Sequence, residues 1–142
     1  MKNKSLSFYI RLVVGLAAII AGVVFFLLDR AVMGSDIHFN DFSYLTMIFL
    51  IAGGVISIVD AVFGFPFIGI LSCALIGCAI GSHLYIACFP LADITQPVAF
   101  FTNDVEKART AVTLFMAFLG LFALLAIANI VSCFLPNKKK ES

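Results

Sequence analysis

Residues 111–135 read AVTLFMAFLGLFALLAIANIVSCFL and contain no charged side chain. A helix of about 20 apolar residues crosses the ~30 Å hydrocarbon core of a membrane at 1.5 Å per residue. This stretch is therefore long and apolar enough to be a transmembrane helix. Its apolar residues run on without alternating with polar ones, which argues against a membrane-spanning β-strand.

Three further stretches upstream have the same character. They cover residues of about 8–28, 43–62 and 67–89. The chain is 63% hydrophobic and 12% charged, whereas a soluble domain is roughly 45–50% apolar and about 25% charged. A soluble domain of this size could not hide so much apolar surface from water. We predict that residues 1–142 form a single all-α domain, an up-and-down four-helix transmembrane bundle.

The first stretch has one alternative interpretation, a cleaved signal peptide, because Lys2, Lys4 and Arg11 precede or begin it. Its apolar run 12–28 is longer than the ~7–15 residues of a signal peptide, and no small-residue cleavage site follows it. We therefore predict a retained helix.

Basic residues near span ends predict which side of the membrane each end occupies, because cytoplasmic segments are enriched in Lys and Arg. The two ends of the chain are the basic segments, with Lys2, Lys4, Arg11, Lys138, Lys139 and Lys140. The connections 29–42 and 90–110 are acidic overall, and 63–66 forms a tight turn. We predict both termini on the cytoplasmic side of the cell membrane, or of the endoplasmic reticulum membrane in a eukaryote. A net charge of +1 gives no sign of a nucleic-acid partner.

Two local signals mark the ends of helices. Gly64 permits the positive φ of a turn, and Pro66 suits the first turn of the third helix. Asn103 followed by Glu106 has the spacing of a capping box. This spacing predicts that the fourth helix begins before its apolar run.

Small residues recur every four positions along the third span, at Gly69, Cys73, Gly77 and Gly81. In lipid, helices associate where small residues let their backbones approach closely. One interpretation is a groove for a partner or a second copy of the chain. The other, which we favour because GxxxG is common in membrane helices, is packing within the bundle. Comparable small residues on the first two spans are Gly15, Ala18, Gly22, Gly53 and Gly54.

The segments 19–29 and 50–60 resemble each other, with Ile, Ala, Gly, Val and a final Asp at matched positions. Inverted repeats of this kind occur in transporters. A chance match is an equally simple explanation, because both spans consist of the same few apolar residue types. We favour chance because the last two spans show no such similarity to each other.

Ionisable residues inside spans are the first place to look for function, because they are costly there. Arg11 and Asp60 have similar predicted depth, which predicts an ion pair, unless each side chain extends separately to the interface. A proton- or cation-binding role for Asp60 in transport is the sharper alternative. His83 and Asn129 are expected to hydrogen-bond a neighbouring helix, and a proton relay is the alternative for His83.

The four cysteines, Cys73, Cys78, Cys88 and Cys133, include no CxxC pair and have no carboxylate or imidazole at metal-ligand spacing. We expect them to behave as small apolar residues. The sequence predicts no metal or other cofactor.

No phosphate-binding loop, nucleophile elbow or HExxH motif occurs. We therefore predict a non-catalytic protein, an accessory subunit or scaffold of a membrane complex. Its expected partners are the lipid bilayer and another membrane protein or a second copy. The alternative is a small oligomeric transporter or channel in which Asp60 or His83 contacts the substrate.

Overall fold

The computed structural model describes residues 5–33, 37–65, 67–95 and 104–135. They form four helices, α1 (Leu6–Met33), α2 (Ile37–Phe63), α3 (Ile68–Thr95) and α4 (Val105–Phe134). Within these residues there is no β-strand. Each helix is long and apolar enough to cross a membrane, as expected of a multi-pass membrane protein. The predicted all-α fold with four membrane-spanning helices is confirmed.

The helices form a closed ring in which α1 packs on α2, α2 on α3, α3 on α4 and α4 on α1. Neighbouring helices are antiparallel. Arg11 near the start of α1 contacts Asp60 near the end of α2 and Ser132 near the end of α4. The start of α3 adjoins the same two helix ends, because a β-carbon on Gly69 would lie 2.8 Å from Asp60 Oδ2 and 3.0 Å from Cys133 Sγ. We call the end of the bundle where α1 begins and α4 ends the proximal end, and the opposite end the distal end. The terminal segments with Lys2, Lys4 and Lys138–Lys140 lie outside the described residues.

The first connection is much shorter than the predicted 29–42. The α1 helix continues to Met33, and α2 already begins at Ile37. With 28 residues, α1 is about 42 Å long. That length matches the ~40–45 Å of a bilayer with its headgroups. The apolar run in the sequence shows only which part of a helix lies in the hydrocarbon layer. The helix itself continues through the polar interface, because its backbone hydrogen bonds do not depend on apolar side chains.

The α3 helix also extends beyond its predicted end near residue 89. It passes through Pro90, which is buried, and ends at Thr95. Proline removes one helical hydrogen bond, a loss that neighbouring helices can compensate in a membrane bundle. The Thr95 hydroxyl donates to the Leu91 carbonyl at 3.0 Å and so completes the last turn.

The α4 helix begins before its apolar run, as predicted, but Asp104 is its N-cap. The Asp104 carboxylate accepts from the backbone N–H of Glu106 at 3.0 Å and of Lys107 at 3.3 Å. The predicted cap, Asn103, lies outside the described residues. At the turn after α2, Gly64 has φ 67°, the left-handed conformation that its lack of a side chain allows, whereas Pro66 lies outside the described residues.

Glycines bring the first two helices into backbone contact. A β-carbon placed on Gly15 would lie 2.7 Å from the Gly54 carbonyl oxygen, and one placed on Gly54 would lie 2.6 Å from the Gly15 carbonyl oxygen. Gly53 faces the other way, where a β-carbon would lie 3.0 Å from the Ile76 side chain of α3. The small residues of the first two spans therefore serve packing within the bundle.

Aromatic side chains fill the distal half of the interior. The rings of Phe115, Phe118 and Phe122 on α4 surround Phe25 of α1, with centroids 5.2–6.3 Å from its own. Phe25 and Phe122 are fully buried. The outer faces of the helices carry exposed aliphatic side chains, including those of Val13, Ile20, Leu124 and Ile127.

Candidate functional site

A cluster of buried polar side chains lies at the proximal end and involves all four helices. We call it the proximal polar cluster; its members are Ser7, Arg11, Ser57, Asp60, Ser72, Asn129 and Ser132. Each residue is at most 5% exposed. Because buried polar groups are costly unless they are hydrogen-bonded, the partners of each side chain decide what the cluster can do.

The ion pair expected from the sequence is present. Arg11 Nη1 lies 2.8 Å from Asp60 Oδ2. Arg11 Nη2 also donates to the Ser132 carbonyl at 3.1 Å, and the Ser7 hydroxyl donates to the same oxygen at 3.1 Å. A single guanidinium thus joins α1 to both of its neighbours, α2 and α4.

Asn129 links α4 to α3, and through it to α2. Its Nδ2 donates to the Ser72 hydroxyl at 2.9 Å, and that hydroxyl donates to the Gly53 carbonyl at 2.8 Å. The Ser57 hydroxyl of α2 donates to the Arg11 carbonyl at 2.9 Å and lies 3.4 Å from Asn129 Oδ1. The expected role of Asn129 in holding helices together is seen in these bonds.

Two atoms of the cluster have no hydrogen-bond partner among the described residues, Arg11 Nε and Asp60 Oδ1. A cleft of about 250 Å³ lies beside Arg11, between the start of α1 and the end of α2, and Ser5, Phe8 and residues 61–64 complete its lining. The cluster therefore has one donor and one acceptor without a described hydrogen-bond partner. Most of its other polar groups form hydrogen bonds between helices.

The four small residues of the third span do not share one environment. Gly69 packs inside the bundle, where a β-carbon would lie 2.8 Å from Asp60 Oδ2 and 3.0 Å from Cys133 Sγ. At Gly77 and Gly81 a β-carbon would have no described atom within 4 Å, and both glycines are exposed. The preferred interpretation, packing within the bundle, is wrong for Gly77 and Gly81. At 3.6 residues per turn, a four-residue spacing rotates by about 40° per step, so the stripe turns from the bundle to the outer surface.

The cysteines are less uniform than expected. Cys73, between Gly69 and Gly77 in the stripe, lies with its Sγ 3.9 Å from Cys133 Sγ of α4, and both residues are partly exposed. Cys78 and Cys88 are exposed on α3. Residues 60 positions apart in the chain cannot be paired from spacing alone, so the sequence contained no signal for this contact.

His83 lies fully buried in the distal half, away from the proximal polar cluster. Its Nε2–H donates to the Phe115 carbonyl at 2.8 Å, which is the interhelical hydrogen bond expected from the sequence. The rings of Phe25, Phe115 and Phe122 lie 5.0–5.4 Å from the imidazole, centroid to centroid. Nδ1 has no described hydrogen-bond partner.

The sequence predicts Asp29 in the first connection, but the structure places it inside α1. Asp29 is 1% exposed within α1, accepts a hydrogen bond from the Ser43 hydroxyl of α2, and has no described partner for Oδ1. One helical turn inward, the Thr46 hydroxyl lies 2.7 Å from that of Ser82. One signal in the sequence could have found Asp29, its match to Asp60 in the two similar segments, which we attributed to chance.

What these groups could do chemically is limited. No three His, Cys, Asp or Glu side chains converge in the part of the chain that the structure describes to hold a metal ion. The buried hydroxyl, amide and guanidinium groups donate mainly to backbone carbonyls and to one another. The arrangement is therefore suited to holding four helices together at fixed positions.

Comparison with protein-family models, with curated proteins and with solved structures finds no match to this chain.

Proposed function

We propose that this protein is a non-catalytic accessory subunit or scaffold of a membrane complex, which binds its partner through the outer face of α3. The observation that carries the proposal is that the two sides of α3 have different surroundings. On its inner side Ile76 and His83 are fully buried in the bundle, whereas Gly77 and Gly81 on its outer side have no described neighbour within 4 Å of a β-carbon.

A closed interior supports a binding role over a transport role. Side chains with less than 2% exposure occupy the middle of the bundle, including Phe25, Leu50, Ile76 and Phe122. They lie between the two buried carboxylates, Asp29 towards the distal end and Asp60 towards the proximal end. A hydrated path would have to displace these apolar side chains.

The outer face of α3 has the properties of a helix-docking surface. Glycines let a second helix approach the backbone closely, and close packing is what drives helix association in lipid. Ala74 and Cys78 flank Gly77 and are also exposed. A partner helix with its own small residues fits this surface.

The rival function is the small oligomeric transporter or channel. The unpartnered Oδ1 atoms of Asp29 and Asp60 favour it, since each could bind a proton or a cation. In that case the α3 face would join identical subunits, and the path would run between them.

One experiment distinguishes the two functions. The full-length tagged protein is purified in mild detergent from its natural membrane, and its mass and co-purifying proteins are measured by light scattering and mass spectrometry. Gly77→Leu is compared with Gly120→Leu, because Gly120 of α4 is also exposed with no described neighbour within 4 Å of a β-carbon.

An accessory subunit gives a foreign partner in fixed stoichiometry, lost in Gly77→Leu and kept in Gly120→Leu. A partner-free oligomer that Gly77→Leu dissociates would overturn the proposal in favour of the transporter, and ion flux with Asp60→Asn would then be measured. A monomer without a partner would contradict both.

The proposed orientation places the proximal end in the cytoplasm. The start of α1 and the end of α4 lie together at that end, and the adjoining terminal segments are basic. Reporter fusions at each terminus should be active only on the cytoplasmic side, and external labelling of a terminal tag would contradict this topology.

A further inference from the structure

Two thiols from different helices face each other at the proximal end. Cys73 of α3 and Cys133 of α4 have their Sγ atoms 3.9 Å apart, close enough for a weak S–H···S contact. Both residues are partly exposed. The proposed scaffold function uses neither thiol.

We propose that Cys73 and Cys133 are a redox modification site, which a hydroperoxide converts to a disulfide joining α3 to α4. One thiolate attacks the peroxide oxygen and becomes a sulfenic acid, releasing water from hydrogen peroxide or an alcohol from a lipid hydroperoxide. The second thiol then displaces water from the sulfenic acid, and the S–S bond forms. In total the two thiols lose two electrons and two protons, and the peroxide is reduced.

The geometry fits this step with little movement. A disulfide has an S–S distance of about 2.0 Å, so the two sulfur atoms at 3.9 Å must approach by about 1.9 Å. The partial exposure of both residues gives a small peroxide access to them.

The other two cysteines have no second sulfur atom beside them. Cys78 and Cys88 are exposed on α3, and no described sulfur atom lies within hydrogen-bonding distance of either. They can react with a peroxide or a thiol reagent, but within one chain they have no such partner thiol. They therefore serve as matched controls in the same helix.

The thiol pair adjoins the proximal polar cluster. The position of a β-carbon on Gly69 is 3.0 Å from Cys133 Sγ and 2.8 Å from Asp60 Oδ2, so the thiol and the ion-paired carboxylate border the same small space. A disulfide would hold α3 and α4 together at this point, beside the contact of Arg11 with Asp60. If the proximal end is cytoplasmic, cellular reductants keep the pair reduced until an oxidant appears.

The test uses purified full-length protein in detergent, treated with graded hydrogen peroxide and then with a thiol-blocking reagent. Intact mass and peptide mapping count the blocked thiols and locate any cross-link. We expect blocked thiols to fall from four to two, with a Cys73–Cys133 cross-linked peptide in the monomer that a dithiol reductant removes. Cys88→Ser should keep the cross-link, whereas Cys73→Ser and Cys133→Ser should each abolish it.

Several results would overturn the proposal. They include overoxidation of Cys73 or Cys133 to a sulfinic or sulfonic acid without a cross-link, and an intermolecular disulfide through Cys78 or Cys88 alone. A third is that Cys73 and Cys133 both remain free for the blocking reagent at peroxide levels that oxidise the exposed Cys78 and Cys88. Cys133→Ala provides a second variant if the serine variant does not fold, and helicity and monodispersity identify that case. The assay requires no partner, so its outcome is separate from that of the scaffold proposal.

Discussion

Arg11 Nη1 lies 2.8 Å from Asp60 Oδ2, and these two side chains are only 6% and 2% exposed. The pair joins the beginning of α1 to the end of α2 where the chain enters the bundle. The same guanidinium reaches the Ser132 carbonyl of α4. A buried ion pair is not in itself strongly stabilising, because desolvation offsets much of the attraction, but removal of one partner leaves an uncompensated charge.

Breaking the ion pair from either side should destabilise the bundle strongly. We expect Arg11→Gln or Asp60→Asn to lower the free energy of unfolding by about 3–5 kcal/mol, and the double variant to lose much less than the sum. Unfolding in mixed micelles with increasing denaturing detergent measures this double-mutant cycle. Arg30→Gln is the control, because Arg30 is exposed and stacks on Phe26, and it should change little. Additive losses from the two single changes would contradict a direct coupling.

Asp29 should respond differently from Asp60, although both carboxylates are buried. Among the described residues Asp29 forms no ion pair, and its one partner is the Ser43 hydroxyl. Asp29→Asn removes a buried charge and keeps an oxygen for that hydroxyl, so we expect unchanged or increased stability. Ser43→Ala should be destabilising by about 1–3 kcal/mol, because it leaves the carboxylate without its donor. The same unfolding assay measures both variants. If Asp29→Asn lowers the free energy of unfolding as much as Asp60→Asn does, Asp29 has a cationic partner and the expectation is contradicted.

Glycines on opposite sides of α3 should differ in their tolerance of alanine. Gly69→Ala puts a β-carbon 2.8 Å from Asp60 Oδ2 and 3.0 Å from Cys133 Sγ, which forces the ion pair or α4 to move. We expect a lower melting temperature in detergent. Gly81→Ala meets no described atom within 4 Å, and since alanine favours helix by roughly 0.5–1 kcal/mol over glycine, it should leave stability unchanged or raise it. Equal effects at both positions would contradict the placement of Gly69 inside the bundle.

The His83 ring should carry its proton on Nε2, because a carbonyl oxygen can only accept and the Phe115 carbonyl lies 2.8 Å from that nitrogen. Nitrogen chemical shifts of histidine-labelled protein in micelles report the tautomer directly. We expect His83→Phe to cost about 0.5–1.5 kcal/mol, the usual net value of a hydrogen bond. His83→Ala should cost about 2–5 kcal/mol by analogy with other large-to-small core changes, because it leaves a cavity among aromatic rings. A ring protonated only at Nδ1 would exclude the assigned bond.

Both the correct and the wrong expectations about the site have physical reasons. The Arg11–Asp60 pair could be predicted because two charges at the same depth in neighbouring antiparallel helices have few other partners. Asp29 was misplaced because hydropathy ends a helix where the apolar run ends, although the buried face of α1 continues past Phe25. Gly77 and Gly81 were misassigned because a repeat of four residues drifts around a helix of 3.6 residues per turn.

The sequence by itself determined that the chain forms four apolar helices. That outcome depends on length and composition alone, since a chain this apolar must hydrogen-bond its backbone internally wherever lipid surrounds it. The tertiary structure decided the order of the ring, the four-helix connections of the proximal polar cluster, and the approach of Cys73 to Cys133. Those contacts depend on how each helix is rotated and how deeply it sits against its neighbours, and rotation is fixed by packing between residues far apart in the chain.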